Sequence, residues 1–232
     1  MSISLDGNKI INDKNRRFLN GNSVYRCVVK NINKLKKNQV NFQIISTVNE
    51  KTDFLNNVHF FRKMGIQNIK YSFLYSDDLD VQYDEDKQKK MLKSFIESLN
   101  WLVQYNKKNK KYMNILNVKE IINIILLQNN DFLCIPGKCC AGKKIMSIDF
   151  EGNILPCDNY NILKEVTQYN FILENTFHKK CQKCCFLFAC QGGCPVERKD
   201  KKDRLCIFKK GVYEYIFNKI VHKEYRDLIN LI

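Results

Sequence analysis

The chain has 232 residues, a formal net charge of +15, 44% hydrophobic and 27% charged side chains, and eleven cysteines. That length and mix build one large or two modest cores, and exclude a disulfide-stapled miniprotein, a collagen and a wholly disordered polymer. The excess of 39 Lys and Arg over 24 Asp and Glu is mostly scattered lysine, as in Lys107-Lys108-Asn109-Lys110-Lys111, which reads as solvated surface and argues against a nucleic-acid partner.

In chain order, Ser2–Leu5 reads as a short strand, followed by a polar loop that ends near Gly21-Asn22-Ser23. Ser23 is placed to cap a helix whose Val24, Val28, Ile32 and Leu35 keep helical spacing. Val40–Thr47 is a second strand. A helix follows with Phe54, Leu55, Val58, Phe61 and Met64 on one side, stopped by Gly65 in a left-handed conformation. Asn68–Tyr75 is a third strand, rich in β-branched and aromatic residues, and helices are expected from about Asp84 to Tyr105 and from about Val118 to Leu127. Strands alternating with helices imply an α/β fold of parallel strands joined by right-handed crossovers. Three strands cannot close a barrel, so the sheet is either small and open or the later portion of a larger barrel.

Composition changes near Asp131, beyond which ten of the eleven cysteines lie. There Lys144–Asp149 and Ile154–Pro156 read as a β-hairpin turning on Glu151-Gly152-Asn153, and Ile207 to Ile229 as a closing helix. The expected division is residues 1–130 and 131–232.

The cysteines run Cys134, Cys139-Cys140, Cys157, Cys181-x2-Cys184-Cys185, Cys190-x3-Cys194 and Cys206. A C-x2-C pair presents two thiolates from one turn, and further cysteines five and three residues on can close tetrahedral sites without long loops. Gly192-Gly193 would let the backbone pass close to a bulky inorganic core. Zinc sites commonly recruit histidine, and only His59, His178 and His222 are present. The set therefore favours two all-thiolate iron–sulfur clusters, with a pair of all-cysteine zinc sites as the competing reading. His178 is a weaker ligand candidate, Cys27 a small buried hydrophobe, and Cys185 either of these. Met1–Gly7 lacks a basic start and an apolar stretch, and Ile115 to Leu127 is too short to span a bilayer and carries Lys119 and Glu120. The expected setting is cytoplasmic and without membrane contact, where clustered thiols hold metal.

Cys139, twelve residues, Gly152, four residues, Cys157, a gap, Cys181-x2-Cys184-x5-Cys190-x3-Cys194, a gap and Cys206 resembles the seven-cysteine SPASM signature. SPASM domains follow radical S-adenosylmethionine (SAM) cores and hold auxiliary [4Fe–4S] clusters. Upstream, Ser2–Gly7, Asp13–Arg16 and Gly21–Tyr25 are similar to the fourth strand and following loop of that core, with Val40–Glu50 and Asn68–Tyr75 as its fifth and sixth strands. The resemblance implies the C-terminal half of a radical SAM partial (β/α) barrel, followed by a Cys-rich SPASM domain. It implies Cys139, Cys157 and Cys194 as ligands of a first cluster, completed by Cys134 or Cys140, and Cys181, Cys184, Cys190 and Cys206 as ligands of a second. Asp158 matches the proposed general base of anaerobic sulfatase-maturating enzymes, with a turn cap as its simpler reading. Ser4 and Asp6, at the end of the first strand, are weaker candidates for lining the SAM or substrate cavity, Asp6 alternatively being a turn residue.

The C-x3-C-x2-C motif of the radical SAM core is absent from these 232 residues, as is the Gly-rich segment that contacts the methionine end of SAM. The expectation is therefore an N-terminally truncated maturase portion that oxidises a side chain of a peptide or protein. It would use SAM only with a separate N-terminal half supplied. A non-enzymatic iron–sulfur or zinc module recognising a peptide or partner protein is the alternative.

Overall fold

The structure, a computed structural model, describes residues 1–74, 83–109, 112–127, 134–135, 138–139, 141, 145–157, 178–195, 198–199 and 202–228. Its frame is β1 (Ser2–Ser4), α1 (Lys9–Asn15), α2 (Tyr25–Lys37), β2 (Gln43–Val48), α3 (Phe54–Lys63), β3 (Asn68–Phe73), α4 (Glu85–Lys108), β4 (Asn114–Ile115) and α5 (Leu116–Leu127). The four strands form one parallel sheet in the order β1-β2-β3-β4. The α/β reading with parallel strands holds, and the sheet has a fourth strand: β4 is only two residues long, too short to show a period of two.

Alternation explains which residues go inside. Ile3, Ile44, Ile69 and Ile115 are register partners across all four strands, and the last three are fully buried. Ser4, Ile45 and Lys70 form the row on the opposite face, where Ser4 is exposed. Against the isoleucine row pack Val58 and Phe61 of α3 and the stripe Met91, Phe95, Leu99 and Leu102 of α4. Phe54 is the hub: its ring lies 5.2 Å from Tyr71, 5.0 Å from Phe95 and 6.1 Å from Phe208. Those contacts tie α3, β3, α4 and the C-terminal α8 (Cys206–Val221) into one apolar cluster.

Helix ends follow local chemistry. Asp53 and Asp84 accept from Asn56 N and Lys87 N as N-caps, and Gly65 after α3 has the expected left-handed φ of 68°. Helix α1 falls where a polar loop was expected. It is capped by Asn8, and its buried residues are Asn12 and Asp13, so no apolar periodicity announces it. Val24 holds the cap position of α2 without a side-chain bond; Ser23, one residue earlier, accepts from Tyr25 N at 3.3 Å and donates from its Oγ to Asp13 Oδ1 at 2.8 Å. The expected hairpin is present as β7 (Ser147–Ile148) against β8 (Ile154–Leu155), with Lys144 outside the described residues. Helix α8 ends at Val221, earlier than expected, and a 3-10 turn at Tyr225–Asp227 follows. No helix among the described residues is long and apolar enough to cross a membrane.

Candidate metal centre

The second group of cysteines comes from three short pieces. Cys181 lies in α6 (Lys179–Gln182), Cys184 follows in the turn that closes it, and Cys190 ends α7 (Leu187–Cys190). Cys184 N donates to Cys181 O at 3.0 Å, so the C-x2-C pair does share one turn. His178 caps α6, its Nδ1 accepting from Lys180 N, which gives it a structural task.

After Cys190 the chain reverses through Gln191, Gly192 and Gly193, with φ of 43°, 73° and 81°. Gly193 is required there for space as well as conformation: an added Cβ would stand 1.8 Å from Asp203 Oδ2. The close neighbour at Gly193 is thus a carboxylate, while Gly192 lines the same cavity as Cys181, Cys184, Cys190 and Cys206. Arg198 holds the reversal from the other side, donating to the carbonyls of Gln191, Gly192 and Gly193. Asp203 pairs with Lys209 and accepts from Leu205 N at 2.7 Å, fixing the start of α8. Gln88 of α4 completes that start, its Oε1 accepting from Ile207 N and Phe208 N at 3.0 and 3.2 Å.

These contacts bring Cys181, Cys184, Cys190 and Cys206 to the wall of one cavity of about 460 Å³, with Lys180, Lys183, Lys210, Asp203 and Tyr213 also on the wall. Four soft sulfur donors spaced around a void, with lysines to offset thiolate charge, suit a group held by cysteines alone. Among the described residues no three Cys, His, Asp or Glu side chains converge tightly enough to hold a single metal ion. Burial, and then the Asp203 carboxylate, push the Cys190 thiol up to about 11. Burial raises the phenol of Tyr213 well above its ordinary value, and Cys190 adds to that.

Of the remaining cysteines, Cys157 and Cys194 are half-buried. Cys134 and Cys139 are direct register partners in the short antiparallel pair β5 (Cys134–Ile135) and β6 (Lys138–Cys139). Cys140 and Asp158 lie outside the described residues. Cys27 is exposed on α2, contrary to its expected burial, and Cys185 is exposed at the cavity wall.

Asp6 lies beyond the C-terminal end of β1, with its side chain fully buried. Its Oδ2 accepts from Arg16 Nε at 2.9 Å, and its Oδ1 accepts from Arg16 Nη2 at 3.0 Å and Thr47 N at 2.8 Å. Its carbonyl accepts from Ser46 Oγ and Asn57 Nδ2, so Asp6 is more than a turn residue. It borders a cavity of about 660 Å³ between α1, the loop after β2 and α3.

No protein-family model matches the chain. The cysteine-type anaerobic sulfatase-maturating enzyme of Clostridium novyi (strain NT) is 24% identical over 240 residues, covering 94% of this chain and 61% of that enzyme. The serine-type anaerobic sulfatase-maturating enzyme of Bacteroides thetaiotaomicron is 23% identical over 276 residues, covering 99% and 64%. The solved structure of native anSMEcpe with bound AdoMet and Kp18Cys peptide superposes with a TM-score of 0.78 at 19% identity, covering 97% of this chain and 69% of that one. The chain is a homologue of the anaerobic sulfatase-maturating enzymes.

It spans 61 to 66% of the length of these maturase relatives. The supports of the thiol cavity are not evident in the sequence. Gln88 reaches α8 across about 120 positions, and Arg198 acts on carbonyls, which carry no residue identity. Tyr213 leaves one local trace: it lies seven residues after Cys206, hence on the same face of α8.

Proposed function

We propose that the chain is the auxiliary-cluster portion of a radical SAM maturase that oxidises a side chain of a peptide or protein. The observation that carries this reading is the meeting of Cys181, Cys184, Cys190 and Cys206 at one cavity, in a chain homologous to sulfatase-maturating enzymes. Residues 1–130 form the barrel portion and residues 131–232 the SPASM portion. Cys181, Cys184, Cys190 and Cys206 hold one [4Fe–4S] cluster; Cys139, Cys157 and Cys194 hold the other, with Cys134 or Cys140. Thiols bordering a void, and not meeting at a point, favour polynuclear clusters over a single zinc.

Bound, the two clusters would supply one-electron acceptors. The chain's own residues do the rest. Asp158, next to the ligand Cys157, takes the proton that the substrate carbon or its heteroatom releases on oxidation. Arg198, Asp203 and Gln88 keep the second ligand set in place. Asp6 and Arg16 fix the rim at the C-terminal ends of β1 and β2, and Ser4 stands beside it on the exposed face, where SAM or the peptide would lie. The setting is the cytoplasm. SAM cleavage needs a C-x3-C-x2-C segment that these residues do not hold, and a radical SAM N-terminal half would supply it.

The test supplies anaerobically reconstituted chain with SAM, a reductant and a peptide carrying an oxidisable cysteine or serine. The chain alone should release no 5′-deoxyadenosine; with a radical SAM N-terminal half added, the peptide should gain an aldehyde. Release by the chain alone contradicts this reading. Failure of the mixture with clusters assembled favours the non-enzymatic peptide-binding module.

A further inference from the structure

Tyr213 borders the thiol cavity with a hydroxyl that is buried and finds no hydrogen-bond partner among the described residues. The side chain is 2% exposed, its ring stacked on Phe186 at 5.7 Å, in a small apolar cluster against which Cys184 and Cys190 pack. Phenylalanine would satisfy that packing. A buried hydroxyl without an acceptor is a standing free-energy cost, so its presence points to an acceptor that arrives when the cavity is filled.

The cavity wall indicates the acceptor. Among the described residues, Asp203 is already engaged by Lys209 and Leu205 N, and Glu120 by Lys70. The wall that Tyr213 shares also carries the sulfurs of Cys181, Cys184, Cys190 and Cys206. A protonated thiol is a weak acceptor, whereas a metal-bound thiolate or an inorganic sulfide carries negative charge and accepts well. Cys190 shares the apolar cluster with Tyr213, and Cys206 lies two turns earlier on the same helix face.

We propose that the Tyr213 hydroxyl donates a hydrogen bond to a sulfur of the group held by Cys181, Cys184, Cys190 and Cys206, with Cys190 Sγ, packed against the same apolar cluster, as the leading candidate, and that this bond raises the group's reduction potential. The inference rests on the cluster reading above. Reduction adds negative charge to the sulfurs, so a donor stabilises the reduced form more than the oxidised one. Tyr213 is therefore a tuning residue of the second cluster and takes no part in the chemistry on the substrate.

The experiment compares the full reconstituted chain with Tyr213→Phe by iron and sulfide content, then by redox titration followed by electron paramagnetic resonance. The variant should keep its iron and sulfide and be about tenfold harder to reduce at one cluster only, about 59 mV for a one-electron couple. Incorporating 3-fluorotyrosine, a stronger donor of nearly the same shape, should move the same cluster's potential upward, and it serves if Tyr213→Phe fails to assemble. Unchanged potentials with full iron content overturn the tuning role and leave the cluster reading standing. An unaltered chain that binds no iron and sulfide overturns the cluster reading, and the tuning role with it.

Discussion

Asp6→Asn removes one charge from the most enclosed ion pair near the sheet's C-terminal rim. The Asp6 carboxylate is fully buried and accepts three bonds, two of them from Arg16, whose side chain remains 30% exposed. Removing one partner of a buried pair costs about 3–5 kcal/mol, because the other charge is left without compensation. Here the abandoned guanidinium can turn to water, which places Asp6→Asn near the lower end, about 3 kcal/mol. Arg16→Met should cost more, since the carboxylate it strands has no route to solvent. Against a total stability of about 5–15 kcal/mol, both losses are large. Urea unfolding followed by circular dichroism measures them, and the double variant gives the coupling, expected at about 1.5–3 kcal/mol. Single variants within 0.5 kcal/mol of the parent by the ordinary surface scale, or strictly additive losses, would refute the reasoning. Asp6 would then have no structural role at the rim.

Gly193→Ala combines a left-handed backbone with a side chain driven into Asp203, and should lower stability by about 3 kcal/mol and reduce iron at the second site. Unfolding and iron assays check it, and a neutral result would mean the reversal after Cys190 is not fixed by Asp203. In the metal-free chain Cys190 should be among the last thiols alkylated near pH 8, after the exposed Cys27 and Cys185, because burial keeps it protonated up to about 11. A raised folded pKa means the folded state holds its proton longer. Cys190 therefore contributes stability present below its ordinary value of 9.0 and lost as pH rises through about 11, which denaturant titration across that window can follow.

Much of the frame is legible in the sequence because its signals are local. The apolar stripes of α3 and α4, the buried alternation of β2 and the glycine after α3 each depend on neighbours a few residues away. Helix α1 is not legible, since it buries Asn12 and Asp13 in place of apolar residues, and the Asp6–Arg16 pair that it positions spans ten residues. The thiol cavity divides in the same way. C-x2-C geometry is a property of one turn, so Cys181 and Cys184 announce themselves. Gln88 supports that cavity across about 120 positions, and Arg198 does so through main-chain carbonyls that carry no residue identity. The glycine pair divides likewise: only the folded chain shows that Gly193 makes way for Asp203 while Gly192 lines the thiol cavity.

The most direct measurement is the iron, acid-labile sulfide and zinc content of the full chain after anaerobic reconstitution, alongside Cys181→Ala with Cys184→Ala. The account predicts about eight irons and eight sulfides per chain for two cubane clusters, falling to about four of each in the double variant. Stoichiometric zinc without sulfide, or cluster content unchanged by losing both cysteines, would contradict it.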